Sequence, residues 1–403
     1  LTCSWFFLFL PVFGVACATA TVNTTVSAPS IVDVQTVMTL VTELASPTFQ
    51  GRLPGTEGSQ KARDYLVKKF QDAGLEPVPA RGYRQRFAEG VNIMGWLPGW
   101  GPMADQVIVV GAHYDHLGTK DGALFPGAND NASGVAAMIA AVHALKEALP
   151  SPRRSLLVVA FDAEEQGLLG SKHFAKLPPV ARRRLAAAII LDMVGTPAHS
   201  QWGDLLLVFG AEKSPELELL SNRIQSPDGL KVVRGGIHLM ENTPFGSMTL
   251  SDYGPFRDAG IPFAMLTSGM NAVYHTPNDT PSAVSPSLLA GSATWLQRYL
   301  TTLLTHPSRP TFDRDRVDLI SDVREIAELL HKALLPKSTF RGPNIRQSAL
   351  ESHLTRLNGI RRRLSRGGAI LPDDALQAAH ATFRLMCYCA GTAPPIAPMC
   401  NKF

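Results

Sequence analysis

The sequence predicts an α/β protein built as three layers, α/β/α, around a central, mostly parallel mixed sheet, with a helical extension at its C-terminal end. Three observations point there. The runs QVIVVGAHYD (106–115), RSLLVVAFDAEE (154–165) and LAAAIILDMVG (185–195) are apolar without polar alternation, as expected of strands buried on both faces. Segments with helical apolar spacing separate them, the order that produces parallel strands covered by helices. Past about residue 305 the β-runs stop and helical patterns continue alone.

The elements follow in chain order. LTCSWFFLFLPVFGVACATA (1–20) is uncharged, with an apolar stretch that closes on Ala18-Thr19-Ala20. That is the layout of an export signal, too short to span a bilayer, and it implies a periplasmic or extracellular destination. Lipid attachment at Cys17 is the alternative. Residues 21–31 read as a linker and 32–305 as the α/β domain. Helices are expected over 32–46 and 56–75, the second with Ala62, Tyr65, Leu66 and Phe70 on one face and Gly74 as its stop. NASGVAAMIAAVHALKEAL (131–149) is a small-residue helix, and LLLVFG (205–210) and IPFAML (261–266) are further strands. The extension, 306–403, holds three helices. The first (317–335) places Val317, Ile320, Ile326, Leu329, Leu330 and Leu334 at helical spacing. The second (348–364) opens on a Ser348…Glu351 capping box, and the third covers 373–386.

Composition excludes several classes of function. With 45% hydrophobic and 18% charged residues, the 403-residue chain is neither disordered nor fibrous. A net charge of +4 is too small at this length to imply a nucleic-acid partner or an anionic membrane surface. From residue 306 onward 15 Lys and Arg stand against 9 Asp and Glu, and Arg361, Arg362, Arg363 and Arg366 form a basic patch that reads as a solvated helix face. Three of the five cysteines, Cys387, Cys389 and Cys400, lie near the C-terminus, where a pair involving Cys400 would leave one thiol over.

In such a sheet, ligands bind at the carboxyl ends of the strands. Those ends carry His113 and Asp115, then Asp130 at the mouth of the following helix, Glu164 and Glu165, Asp192, and His275. Singly, each has an ordinary structural explanation. PGANDNASG (126–134), which contains Asp130, could be a surface turn with a sugar-acceptor sequon at Asn131. Jointly they do not, because so many acids at one sheet edge repel unless protonated or bound to metal. Imidazole and carboxylate donors suit zinc, and an excess of carboxylates suits two ions sharing a bridge.

GRLPGTEGS, VVGAHYDHLG, PGANDNASG, AEEQGLLGS, LDMVG, SDYGPF with DAGIPF, and YHTPNDT carry a resemblance. From about residue 50 to 300 the chain resembles the di-zinc aminopeptidase family that includes secreted bacterial leucine aminopeptidases. Glutamate carboxypeptidase and glutaminyl cyclase are more distant relatives. The resemblance implies a zinc-exopeptidase-type fold over 32–305 and two zinc ions per chain. Asp130 would bridge them, with His113 and Asp192 completing one ion's ligands and Glu165 and His275 the other's. Glu164 would be the general base acting on a zinc-bridged water, and Asp115 would accept the other N–H of His113. Tyr274 would either hydrogen-bond the tetrahedral intermediate or serve as a packing aromatic. Asp279 would either support His275 or cap a turn. The substrates implied are the N-termini of peptides or proteins, acted on by a monomer.

Relatives often have His where this chain has Tyr253, a position read here as shaping the pocket. Related two-domain carboxypeptidases and deacylases insert a dimerisation domain between their last two ligands. Asp192 and His275 are 83 positions apart, an interval already occupied by two strands and a helix. Two alternatives to the exopeptidase remain: glutaminyl cyclase-like acyl transfer on N-terminal Gln or Glu, and a non-catalytic member of the superfamily.

Overall fold

Long β-branched and alanine-rich runs without polar alternation set the centre of the molecule. In the structure, a computed structural model that describes residues 31–244, 246–335, 347–390 and 400, they form one sheet. The export signal, Cys17 and nearly all of the 21–31 linker lie outside the described residues.

Eight strands make up the sheet: β1 (Arg84–Arg86), β2 (Val91–Leu97), β3 (Val107–His113), β4 (Ser155–Phe161), β5 (Leu185–Leu191), β6 (Leu205–Phe209), β7 (Lys231–Gly235) and β8 (Phe263–Thr267). Their spatial order is β1-β2-β4-β3-β5-β8-β6-β7. The inner set β4, β3, β5 and β8 is parallel, so its carboxyl ends share one edge. β2 joins β4, and β6 joins β8, in antiparallel fashion. The sheet is therefore mixed but parallel where the chemistry sits.

β3, β4 and β5 are buried at every position, as their composition requires. Alternate residues feed two cores. Ile108, Val110, Leu156 and Val158 face a layer containing α1 (Val34–Leu44), α2 (Glu57–Asp72), α3 (Gly134–Ala148), part of α5 (Pro215–Arg223) and α8 (Pro286–Thr305). Val107, Val109, Leu157 and Val159 face the other layer, which includes α4 (Leu169–Lys176), α6 (His238–Glu241) and α7 (Gly254–Asp258). Among the described residues, no helix is long and apolar enough to cross a membrane.

The extension completes that second layer. α9 (Leu319–Ala333), α10 (Gln347–Ser365) and α11 (Asp374–Ala390) pack on one another and onto β7, α6 and the 200–202 turn. Asp318 caps α9 by accepting from Ser321 N at 3.2 Å, and Leu319, Val323, Ile326 and Leu330 form its buried stripe. Two positions expected in that stripe fall outside it. Val317 precedes the helix and Ile320 is 57% exposed, on the opposite side from the seam. The capping box also fails, because Ser348 lies inside α10 and Glu351 accepts from the Gln347 side chain instead. Arg361, Arg362 and Arg366 are exposed, while Arg363 pairs with Asp374 at the start of α11. Cys387 is disulfide-bonded to Cys400, and Cys389 is a free, buried thiol.

One buried contact ties α9 to the α/β domain. Asp322 accepts from Gly236 N at 2.7 Å, and Glu212 accepts from the adjacent Ile237 N at 2.8 Å. Burial, followed by the nearby charges of Glu212 and Asp318, pushes the Asp322 carboxyl up to about 8; Gly236 N–H and Lys213 oppose the shift. Burial also pushes Glu212 to about 7, and holds the neighbouring His238, 3.6 Å from Asp322, down at about 4. Asp322 therefore binds a proton in the folded state at pH values where the unfolded chain, near 3.8, has lost it. Its contribution to stability is full below that lower value and is lost as pH rises towards 8. Asp322→Asn keeps an acceptor for Gly236 and removes the carboxylate. Thermal unfolding should show the variant gaining on wild type between pH 5 and pH 9, by on the order of 1 kcal/mol or more. A pH-independent difference would refute the assignment.

Candidate metal centre

His113 is the last residue of β3, Glu164 and Glu165 lie in the turn after β4, and Asp192 immediately follows β5. Because these strands are parallel, the donors converge. His113 Nε2 lies 3.3 Å from Asp130 Oδ1 and 3.5 Å from Asp192 Oδ1. The other oxygen of Asp130 lies 3.1 Å from His275 Nε2, which is also 3.0 Å from Glu165 Oε2. Each oxygen of Asp130 thus faces a different donor group.

PGANDNASG is not a surface turn, since every residue from Ala128 to Ser133 is buried. Its polar side chains bind the segment after β5. Asn129 Oδ1 accepts from Gly195 N and Thr196 N at 3.0 and 2.8 Å. Asn131 donates to Leu191 O at 2.9 Å and accepts from Met193 N at 3.2 Å. Ser133 Oγ accepts from Val194 N at 3.1 Å. The side chain of Asn131 is therefore committed within the core, which leaves its sequon unavailable to a glycan. Gly127 is required where it stands. At φ +59° an added Cβ would come within 2.4 Å of Asp130 O and 2.5 Å of the His116 ring.

Two charged side chains hold this loop from below. Asp279 accepts from Asn129 N at 2.8 Å and Asp130 N at 3.0 Å, so it supports the Asp130 backbone rather than His275 or a simple turn. Arg52 of GRLPG is fully buried and donates to the carbonyls of Tyr114, Leu44, Pro126 and Gly127 at 2.6–2.8 Å. Burial lowers its pKa to about 10 against the pull of Asp279 and Asp130.

Asp115 faces both His113 and the glutamate turn. His113 Nδ1 lies 3.3 Å from the main-chain oxygen of Asp115 and 3.7 Å from its carboxylate. The carboxylate also accepts from Glu164 N and Glu165 N at 3.0 and 3.2 Å, fixing the turn that presents both glutamates. Tyr253 differs from expectation. It is fully buried and stacked on Phe263 at 5.4 Å, while Leu250 lines the nearby cavity. Tyr274 stacks on His275 with centroids 3.9 Å apart and borders the same cavity.

His116 had not been anticipated. Its Nδ1 is 2.8 Å from Glu165 Oε1 and 3.8 Å from Asp130 Oδ2, and Glu165, Asp130 and His116 together form a second cluster of metal-binding type. Its position three residues after His113 in the same loop was the available signal. Asp162 was also missed; it accepts from Tyr114 Oη at 2.6 Å and Val91 N at 2.9 Å, stitching β2 to the turn before Glu164.

The electrostatics call for positive charge. Burial opposes a charged His113, yet Glu164 and Asp192, with Asp115 and Asp130, hold its pKa well above the usual histidine range. His275 is likewise raised to about 10 by Asp130 and Glu165 despite its burial. Burial, with Asp192, Asp252 and Glu165 nearby, pushes Glu164 well above the usual carboxylate range, against the pull of His113. Asp130 is held well below that range by His113, His275 and His116, although burial acts the other way.

The donors fit zinc. Ligand atoms on a tetrahedron with bonds of roughly 2.0–2.1 Å lie about 3.3 Å apart, matching the 3.3 and 3.5 Å separations around His113 Nε2. Asp130 Oδ2, Asp192 Oδ1 and His275 Nε2 are buried without a well-formed hydrogen bond, a costly state for polar atoms that a cation relieves. Ala163, Met193 and His275, each at or beside a donor or Glu164, adopt φ of +57°, +54° and +54°. Such strain persists where the surroundings over-determine the backbone, as here.

The model of peptidase family M28 matches residues 92–299. An aminopeptidase from Bacillus subtilis, YwaD, is 33% identical over 195 residues, covering 45% of this chain and 38% of that protein. A glutaminyl-peptide cyclotransferase from Bos taurus is 27% identical over 276 residues, covering 58% and 73%. The crystal structure of BSAP, a zinc aminopeptidase from Bacillus subtilis, superposes with a TM-score of 0.54 at 17% identity, covering 72% of this chain and 100% of that one. The chain spans about half or less of the length of the curated bacterial relatives it matches, 38% in the case of YwaD.

The two bonds to Asp279 give a direct check on the centre. Asp279→Asn can accept only one of them and turns an N–H₂ towards the other donor. Zinc titration should show affinity reduced about 10–100-fold, and thermal unfolding a loss of about 1–3 kcal/mol. Unchanged zinc affinity would show that Asp279 does not position Asp130.

Proposed function

We propose, for a chain that belongs to peptidase family M28, that it is a zinc-dependent aminopeptidase with two ion sites sharing Asp130. His113 and Asp192 would complete one site, and Glu165 and His275 the other. His116 would orient Glu165 through the 2.8 Å contact between them. The observation that carries this reading is the division of Asp130, one oxygen towards each donor group, beside a cavity that Glu164 also lines.

Zinc bound at such sites supplies a Lewis acid for a scissile carbonyl and makes water acidic enough to attack near neutral pH. The chain's own residues would do the rest. Glu164, held by the Asp115-anchored turn, takes the proton from the attacking water and returns it to the departing amine, work typically contributing about 10²–10⁴-fold. Tyr274, stacked on His275, offers its hydroxyl to the carbonyl oxygen as that atom gains charge. The cavity beside these groups, about 80 Å³, offers room for one substrate side chain next to the reacting bond.

A second reading, cyclisation of N-terminal glutamine, is favoured by the match to the cyclotransferase over 73% of its length. One experiment separates the two. Incubated with short unblocked peptides, the zinc-loaded protein should release free amino acids, lose activity to a chelator and regain it with zinc. Ammonia released from N-terminal glutamine peptides, without free amino acids, would establish the cyclase instead. Glu164→Gln should lower turnover at least about 10²-fold with zinc content near wild type, whereas Glu165→Ala should lose zinc. Loss of zinc from Glu164→Gln would exchange the two roles.

A further inference from the structure

The cavity beside the donors has walls from two parts of the chain. Leu207 of β6 and Met265 of β8 come from the sheet, while Leu329 of α9 and Leu385 and Met386 of α11 come from the extension. The segment matched to the family ends at residue 299, so α9 and α11 lie beyond it. From this juxtaposition we propose that the C-terminal helices form the floor of the pocket that receives the first side chain of the substrate. The extension, and not the family's α/β domain alone, then sets which N-terminal residue is removed. The inference rests on the aminopeptidase reading and deepens it.

The extension is anchored well enough for this role. Trp202 Nε1 donates to Leu329 O at 3.1 Å, and Tyr388 stacks on His199 with centroids 5.5 Å apart. Leu329 and Leu385 are each only 3% exposed, and Met386, partly buried, packs against the same core. The charged groups at the border of this cavity with a more polar one are otherwise engaged: Arg234 donates to the hydroxyl and carbonyl oxygens of Ser221, and Glu325 of α9 pairs with Arg324 at 3.1 Å.

A floor of leucine and methionine side chains offers no partner to a charged or strongly polar group, so such first residues are disfavoured by their lost hydration. Small residues are accepted but leave the pocket part-empty. The volume, about 80 Å³, is well below the roughly 150 Å³ of a cavity known to take benzene, which suits an aliphatic or thioether side chain over a large aromatic one. Met386 is the flexible member of the floor and would adjust to shape.

The test compares full-length, zinc-loaded wild type with Met386→Trp, which fills the pocket at a partly buried position, and Leu329→Ala, which enlarges it. For wild type, kcat/KM should favour leucine amide and methionine amide over alanine amide. In Met386→Trp the leucine-to-alanine ratio should fall at least about tenfold while alanine amide is retained; in Leu329→Ala the phenylalanine-to-leucine ratio should rise about tenfold. Both ratios unchanged in folded variants would overturn the proposal. Calorimetric binding of L-leucine supplies an arm that needs no turnover. Met386→Trp should weaken it about tenfold, and equal affinity for the two proteins would overturn the proposal. Absence of amide hydrolysis by wild type, with selective L-leucine binding intact, would count against the aminopeptidase reading and leave the pocket assignment standing.

Discussion

The buried carboxylate of Asp130 is the constraint on which the rest of the site depends. A carboxylate removed from water is tolerable only beside positive charge and with its backbone held. The fold answers both requirements. His113, His275 and His116 surround the side chain, and Asp279, Asn129, Asn131 and Arg52 fix the loop that carries it. The polar residues of ANDNAS are consumed in this task, which explains why a turn-like sequence lies in the interior. The same demand accounts for the left-handed backbone at Met193 and His275, where donors must face inward from the ends of rigid elements.

Parallel strands make that concentration of charge attainable. β4, β3, β5 and β8 end on the same edge, so four loops far apart in sequence deliver donors to one place without long connections. Asp115 shows how the economy extends outward. Its carboxylate accepts from both Glu164 N and Glu165 N, so a residue after β3 positions the two glutamates after β4.

Legibility in the sequence followed the range of the interaction. β3, β4 and β5 were readable because uninterrupted apolar runs report burial on two faces, and the donors were readable because each ends such a run, follows it in the next loop or opens the helix behind it. β2 (VNIMGWL) was not, since Asn92 and Gly95 break its apolar pattern. Asn92 belongs there because it donates to Gly170 O and accepts from Asp162 N across the sheet end. Three of the four carbonyls that Arg52 holds lie 62–75 positions away, and Asp162 accepts from Tyr114 and Val91, 48 and 71 positions away, separations that no local pattern encodes. His116 was within reach of local reading, but one imidazole among the polar residues of that loop carries no mark of its direction. The stripe of α9 was read correctly in period and slightly wrong in extent, as Val317 and Ile320 show.

The extension poses a separate question, because a helical appendage can be dispensable or integral. Its packing argues for the second. Val323, Ile326 and Leu330 of α9 and Phe383 and Leu385 of α11 belong to the same core as Val109, Val159 and Phe263 of the sheet, so the second face is finished only when these helices are in place. Protein interiors are packed nearly to the density of organic crystals, with few voids larger than a water molecule. An apolar void between these helices and the sheet, bordered by His113, Asp130, Glu164 and Asp192, is therefore costly as an idle defect. It becomes intelligible as packing that a bound side chain completes. On that view the basic helices and the metal donors answer to one requirement: the layer that closes the core also shapes the space in which the donors act.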